Sequence, residues 1–213
     1  MTLPAQVLIL AKAPVPGRVK TRLCPPLTPS QAAAVAAAAL ADTLDAVRSA
    51  DVARRVLVVE GQHDAPGVDV LHQRGDRLDE RLAAAFDDAF RASPLPALLV
   101  GMDTPQLTAD LIESSVDRLL TDDAVLGLAE DGGWWGLGLH QPDAGLLLGV
   151  LPSRDDTGRC QRARLVAAGL SVYDLPVLRD VDTLADALAV RRLCVHGQFA
   201  AALDDVMTAP LPA

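Results

Sequence analysis

Short apolar runs alternate along the chain with longer segments in which apolar positions return every three or four residues, the pattern of buried strands separated by amphipathic helices. Residues 7–10 (VLIL) are the first such run and read as a buried strand, which ends in a loop holding Pro14, Pro16 and Gly17. Thr28 then stands where a helix cap belongs. Pro29 suits the first turn and Gln31 completes a capping box, ahead of an alanine-rich helix reaching about Arg48. Residues 55–60 (RVLVVE) read as a second strand and residues 68–71 as a short third. From Asp76 to Ala92, Leu78, Leu82, Ala85, Phe86 and Ala89 keep helical spacing. Residues 97–100 predict a fourth strand, closed by the turn GMDTP, and Thr108 caps the helix that follows. Residues 124–129 and 134–139 are two more strand-like runs, parted by Glu130, Asp131, Gly132 and Gly133. Residues 155–168 read as helix, 170–175 as extended and 183–193 as helix again.

Alternation of strand and helix through the first 120 residues predicts a parallel sheet covered on both faces, with ligands bound at the carboxyl ends of its strands. The polar clusters fall at such ends: residues 12–22 after the first strand, Asp103 after the fourth and Asp131 after the fifth. With no internal repeat or Ser/Gly linker, residues 1–213 read as a single domain.

Charge changes this picture at one place. The net charge is −9, which disfavours nucleic acid or an anionic membrane as partner. Yet four cations precede the first acid, Asp42, so residues 1–41 carry +4 and the rest of the chain −13. Of 19 basic residues only Lys12 and Lys20 are lysine, and both lie in that basic segment, where a compact ammonium suits better than a planar fork. Cys24, Cys160 and Cys194 form no C-x-x-C pair and encode neither a disulfide framework nor a zinc ribbon, which predicts a reducing, cytoplasmic setting. No apolar stretch approaches the roughly 20 residues of a membrane span, and no basic segment leads the first strand as a signal peptide requires. His63, His72, His140 and His196 lack ligand spacing and read as surface or lightly packed residues.

Three clusters carry candidate chemistry. In AKAPVPGRVKTRL (residues 11–23), four cations, two prolines that limit the backbone and Gly17 make a preorganised positive loop, for which polyphosphate is the natural guest. Val19 rather than glycine precedes Lys20, so this is no Walker A loop, and on spacing alone a solvated basic turn fits equally. In GMDTP (residues 101–105), Asp103 suits a Mg²⁺ or Mn²⁺ ion held by one or two carboxylates and substrate phosphates. Asp131, Asp180 and Asp182 are the candidates for a second carboxylate, although Asp182 or Thr183 equally suits the cap of the next helix. In AEDGGWWGLGL (residues 129–139), paired glycines permit close backbone approach. Successive strand residues face opposite ways, so only one of Trp134 and Trp135 can face a cleft.

These strings, with LADTL (40–44), GMDTPQL (101–107) and LRDVDTLAD (178–186), resemble in order the bacterial DUF2064 family, also described as selenodomain-associated transferases, and extend from about residue 6 to residue 190. That family is similar in turn to nucleotide-diphospho-sugar transferases and to nucleotidyltransferases of the phospholactate guanylyltransferase type. The resemblance implies a GT-A-like three-layer α/β/α sandwich with a mostly parallel central sheet. It implies nucleotide contacts from Leu10, Ala11, Lys12, Pro16, Gly17, Arg18, Lys20 and Arg22, and a divalent cation, Mg or Mn, on Asp103 and Asp182. Asp131 would face the acceptor as general base for its hydroxyl or as a further metal ligand, Lys20 would act on the departing phosphate, and Gly132, Gly133 and Trp134 would border the acceptor or sugar. Two departures stand out: Trp134 replaces a usual tyrosine, and QRGDRLDER (73–81) carries Asp79 where a glycine is usual, while Gln73 and Arg81 persist.

The reaction expected from this is metal-dependent glycosyl transfer from an NDP-sugar to a small acceptor. Nucleotidyl transfer from an NTP, releasing pyrophosphate, is the alternative, and a nucleotide-binding protein without catalysis is a third reading. The expected partners are therefore a nucleotide donor and a small acceptor, with a homodimer left open.

Overall fold

The strand runs pair into one seven-stranded sheet in the order β3-β2-β1-β4-β6-β5-β7. The strands are β1 (Leu3–Lys12), β2 (Val52–Glu60), β3 (Asp69–His72), β4 (Ala97–Gly101), β5 (Ala124–Ala129), β6 (Trp134–Leu139) and β7 (Val172–Leu178). Among the described residues six α-helices accompany them: α1 (Pro29–Ser49), α2 (Leu78–Ala92), α3 (Ala109–Leu119), α4 (Thr157–Ala167), α5 (Leu184–Arg191) and α6 (Gln198–Thr208). This computed structural model describes residues 1–151, 155–194 and 196–208.

Six strands run parallel and β6 alone is antiparallel to both neighbours. The reason is connection length: residues 130–133 are too few to cross over and return parallel, so β6 folds back on β5. The four strands within the first 120 residues are parallel, as their alternation with helices predicts, and the sheet as a whole is mostly parallel. β1 is also longer than its apolar run. Gln6 is fully buried within it, and its amide is satisfied by the carbonyls of Ser93 and Leu95, both at 3.1 Å, and by Arg54 at 2.8 Å.

Alternate strand residues feed two cores. Val7, Ile9, Leu57, Leu98, Val100 and Trp135 pack with α1 and α3 on one face. Leu8, Val56, Val58, Leu99, Leu126 and Leu137 pack with α2 and α4 on the other. This is the three-layer α/β/α arrangement. A third cluster joins the outer side of α1 to α5 and α6 through Val35, Ala39, Val190, Phe199 and Leu203. Helix α6 has no counterpart among the predicted elements. Its N-terminus is capped from a distance, with Asp42 of α1 accepting the N–H groups of Gln198 at 2.8 Å and Phe199 at 2.9 Å.

The predicted caps of the other helices are present. Thr28 and Gln31 form a capping box at α1, Thr108 accepts from Leu111 at α3, and Thr183 pairs reciprocally with Asp186 at α5. Thr183, not Asp182, therefore caps α5, which leaves the Asp182 carboxylate for other work.

Candidate functional site

At the carboxyl ends of β1 and β4 lies a cavity of about 620 Å³. Of the residues predicted to contact nucleotide or metal, Leu10, Ala11, Lys12, Arg18, Lys20, Arg22, Asp103 and Asp182 border it. Pro16 and Gly17 form the exposed outer turn of the same loop, with Gly17 at a φ of +76°. Val19 is buried in the core and anchors the loop between Arg18 and Lys20.

Two hydrogen bonds bring the LRDVDTLAD segment to the end of β4. The Val181 N–H donates to the Asp103 carbonyl at 2.9 Å, and the Gln106 side chain donates to the Arg179 carbonyl at 2.5 Å. Carboxylate oxygens of Asp103, Asp180 and Asp182 consequently lie within 4.8 Å of one another. Gly101 makes room for this group, since a Cβ there would come within 2.8 Å of Asp103 Oδ1.

Lys20 is the counter-charge. Its ammonium lies 2.6 Å from Asp103 Oδ2 and 3.1 Å from Asp182 Oδ1, while Arg22 reaches Asp182 Oδ2 at 2.7 Å. Burial opposes the charged form of Lys20, but attraction by Asp103 and Asp182 outweighs it and holds the pKa above the ordinary lysine value. Lys20 has a φ of 46°, a left-handed conformation that costs an L-residue about 1 kcal/mol, and the ion pairs offset it. Asp180 has no cation bonded to it among the described contacts. Burial first, then repulsion from Asp131 and Asp103, pushes its pKa up to about 6.

Lys12 is exposed and its ammonium lies 3.7 Å from Glu60, which also binds Arg81 at 2.7 Å. Gln73 spans the strands, donating to the carbonyls of Ala11 at 2.7 Å and Val58 at 3.1 Å. Glu60, Gln73 and Arg81 thereby fix the strand ends beneath the cavity.

Asp131 stands outside the carboxylate group. It is exposed, and its Oδ1 accepts the Gly133 N–H at 2.7 Å, which closes the turn between β5 and β6. Glu130 in that turn pairs with Arg179, tying it to the acidic segment. Gly132, at a φ of +90°, makes its close approach to protein: a Cβ there would meet the Asp155 carbonyl at 2.0 Å, just ahead of α4. Trp135 packs in the α1/α3 core, donating to the Pro176 carbonyl at 2.9 Å, while Trp134 points to the opposite face and borders a second cavity with Gly133.

Several wall residues have no chemical signature in the sequence. Leu78 follows helical spacing, Gly101 opens the turn after the fourth strand, and Asp79 stands out only as an acid where the family usually has a glycine. Asp79 is in fact buried, clasped by Arg77 at 2.6 and 2.9 Å and accepting the Gly149 N–H at 2.8 Å. Those bonds, the Arg77 fork foremost, lower its pKa to about 2. The arginines on either side of it, at residues 77 and 81, are the sequence signal that could have marked it.

The family described as an uncharacterized protein conserved in bacteria (DUF2064) matches residues 32–154. No curated protein sequence matches the chain. Among solved structures, a protein of Desulfovibrio desulfuricans G20 classed as a nucleotide-diphospho-sugar transferase is similar at 25% identity and a TM-score of 0.87, covering 96% of this chain and 95% of that one. The Mycobacterium tuberculosis H37Rv protein Rv0371c in complex with manganese is similar at 22% identity and a TM-score of 0.53, over 87% of this chain and 97% of that one. The 2-C-methyl-D-erythritol 4-phosphate cytidylyltransferase of Thermus thermophilus shares 17% identity and a TM-score of 0.55, over 92% of this chain and all of that one. Among the described residues, no helix is long and apolar enough to cross a membrane.

Proposed function

The chain belongs to the DUF2064 family, and from that premise we propose that it is a divalent-cation-dependent transferase that moves a glycosyl group from a nucleotide-diphosphate sugar to a small acceptor. The observation that carries this reading is the meeting of a basic loop with Asp103 and Asp182 in one cleft, with the Asp180 carboxylate grouped beside them. A purely nucleotide-binding cleft has no need to gather acids beside phosphate. An all-oxygen set of this kind suits Mg²⁺ or Mn²⁺, and Asp103 and Asp182 would hold the ion, with Asp180 as the third oxygen donor. When bound, the cation supplies positive charge against the donor's diphosphate.

The remaining work falls to side chains of this chain. Lys20, released from part of its ion pair, binds the phosphate that departs with the nucleotide. Arg18 and Arg22 at the rim neutralise its oxygens, an electrostatic contribution of a few kcal/mol per well-placed contact. Leu10 and Ala11 form the end of β1 against which the nucleoside lies. Asp131, its carboxylate oriented by the Gly133 N–H, takes the proton of the acceptor hydroxyl.

The cytidylyltransferase neighbour supports a second reading, attack on an NTP with release of pyrophosphate. Incubation with Mn²⁺, panels of NDP-sugars and NTPs, and candidate acceptors separates the two. Release of nucleoside diphosphate with sugar nucleotides supports glycosyl transfer. Pyrophosphate from NTPs with sugar nucleotides intact replaces it with nucleotidyl transfer, and neither product, despite nucleotide binding, leaves a non-catalytic binder.

A further inference from the structure

Beside the basic cleft, on the α2/α4 side of the sheet, is a second cavity of about 180 Å³. Leu10, Leu78 and Gly101 border both spaces, so the two meet at the ends of β1 and β4. Beyond that mouth the walls are Leu82, Leu99, Leu147, Val150 and Trp134. The polar side chains on the wall are already engaged by protein. Asp79 is bonded to Arg77 and the Gly149 N–H, the Thr157 hydroxyl donates to the Leu151 carbonyl at 2.8 Å, and the Gln161 amide donates to the Leu146 carbonyl at 2.8 Å.

We infer that this cavity receives the apolar end of the acceptor, which is therefore a small hydroxyl compound carrying a branched-aliphatic or single-ring substituent rather than a polyol. The inference rests on the transferase reading for the word acceptor. A sugar ring placed here would exchange several water hydrogen bonds for aliphatic walls, an unfavourable burial of hydroxyls. An apolar guest has the opposite balance. The size fits one ring, since an aliphatic-walled cavity of about 150 Å³ accepts a benzene-sized guest. Orientation follows from Gly133, which borders the cavity and whose N–H is bonded to Asp131, so the guest's hydroxyl end lies toward the proposed base. Asp79 then acts as a positioning residue: through Gly149 it holds the segment that carries Leu147 and Val150.

The probe is cyclohexylmethanol, with glycerol as the polyol control, titrated against the protein while tryptophan emission is followed. Trp134 and Trp135 are the only two indoles, and Trp135 is buried in the other core. Cyclohexylmethanol should give a saturable change in the millimolar range that glycerol does not. Leu147→Phe, which fills the cavity, should weaken it at least tenfold with circular dichroism unchanged. If that variant does not fold, Leu82→Ala, which strips contacts from the wall, should weaken it several-fold. Saturation by glycerol alone, or cyclohexylmethanol binding indifferent to the folded variants, overturns the inference. Nucleoside diphosphate release is read in parallel. If some acceptor supports release but cyclohexylmethanol neither promotes nor inhibits it, the cavity is not the acceptor's and the transferase reading survives. If no acceptor supports release while cyclohexylmethanol binds, the transferase reading itself falls and takes the word acceptor with it.

Discussion

The Lys20 ammonium lies 2.6 Å from Asp103 Oδ2, although 83 residues separate the two in sequence. One cation thus holds the basic loop after β1 against the acid at the end of β4, and a divalent ion on the same carboxylates, as proposed, would compete with it. Lys20→Met should therefore tighten Mn²⁺ binding several-fold in calorimetry while weakening nucleotide binding. Without metal, the variant should lose about 1–2 kcal/mol of stability in urea melts. That is below the about 3–5 kcal/mol of a fully buried pair, because both carboxylates are about one-third exposed. Lys20→Arg, which keeps charge but spreads it over a planar fork, should not restore nucleotide affinity.

Asp103→Asn removes the negative charge of one oxygen donor without changing its shape. Mn²⁺-dependent nucleotide binding should fall by at least tenfold in a thermal-shift titration, and unchanged metal dependence would remove Asp103 from the cation site.

The raised pKa of Asp180 makes metal-free stability depend on pH. Its folded value, about 6, lies above the ordinary 3.8, so its contribution is fully present below about pH 4 and is lost as pH rises through about 6. Asp180→Asn lacks that loss. Chemical denaturation at pH 4 and pH 8 should show the variant gaining on the wild type by on the order of 2 kcal/mol across the interval. Equal pH profiles would contradict the burial and repulsion assigned to this carboxyl.

Gly101→Ala places a Cβ within 2.8 Å of Asp103 Oδ1. The obstacle is a side-chain end that can rotate, so the melting temperature should change little while Mn²⁺ affinity falls several-fold. A large stability loss with normal metal binding would mean the strand end, not the carboxylate, gives way.

Asp79→Asn keeps the shape but weakens the clasp on Arg77 and Gly149. A loss of about 1–2 kcal/mol is expected near neutral pH. The folded pKa, about 2, lies below 3.8, so the contribution is present above about pH 4 and disappears as pH falls through about 2. The gap between variant and wild type should close over that range in acid denaturation curves.

Much of the framework was legible because local rules govern it. Thr28 with Gln31, Thr108, and the helical spacing of Leu82, Phe86 and Ala89 announce their helices without tertiary help. Helix α6 escaped because its cap, Asp42, lies 156 residues upstream of Gln198. The long β1 escaped because Gln6, a polar residue, is buried by partners at residues 54, 93 and 95 that no local pattern reveals.

At the cleft, sequence alone located the basic loop and the acids at strand ends, since charge and strand-end position are properties of short segments. The residue pattern left Asp131, Asp180 and Asp182 open as partners for Asp103, and only the family resemblance favoured Asp182. The tertiary structure separated them, because carboxylate proximity depends on the Val181 to Asp103 bond that joins two distant turns. Likewise the alternation of Trp134 and Trp135 guaranteed opposite faces. Which indole entered a core and which bordered a cavity depended on the helices that cover each side of the sheet.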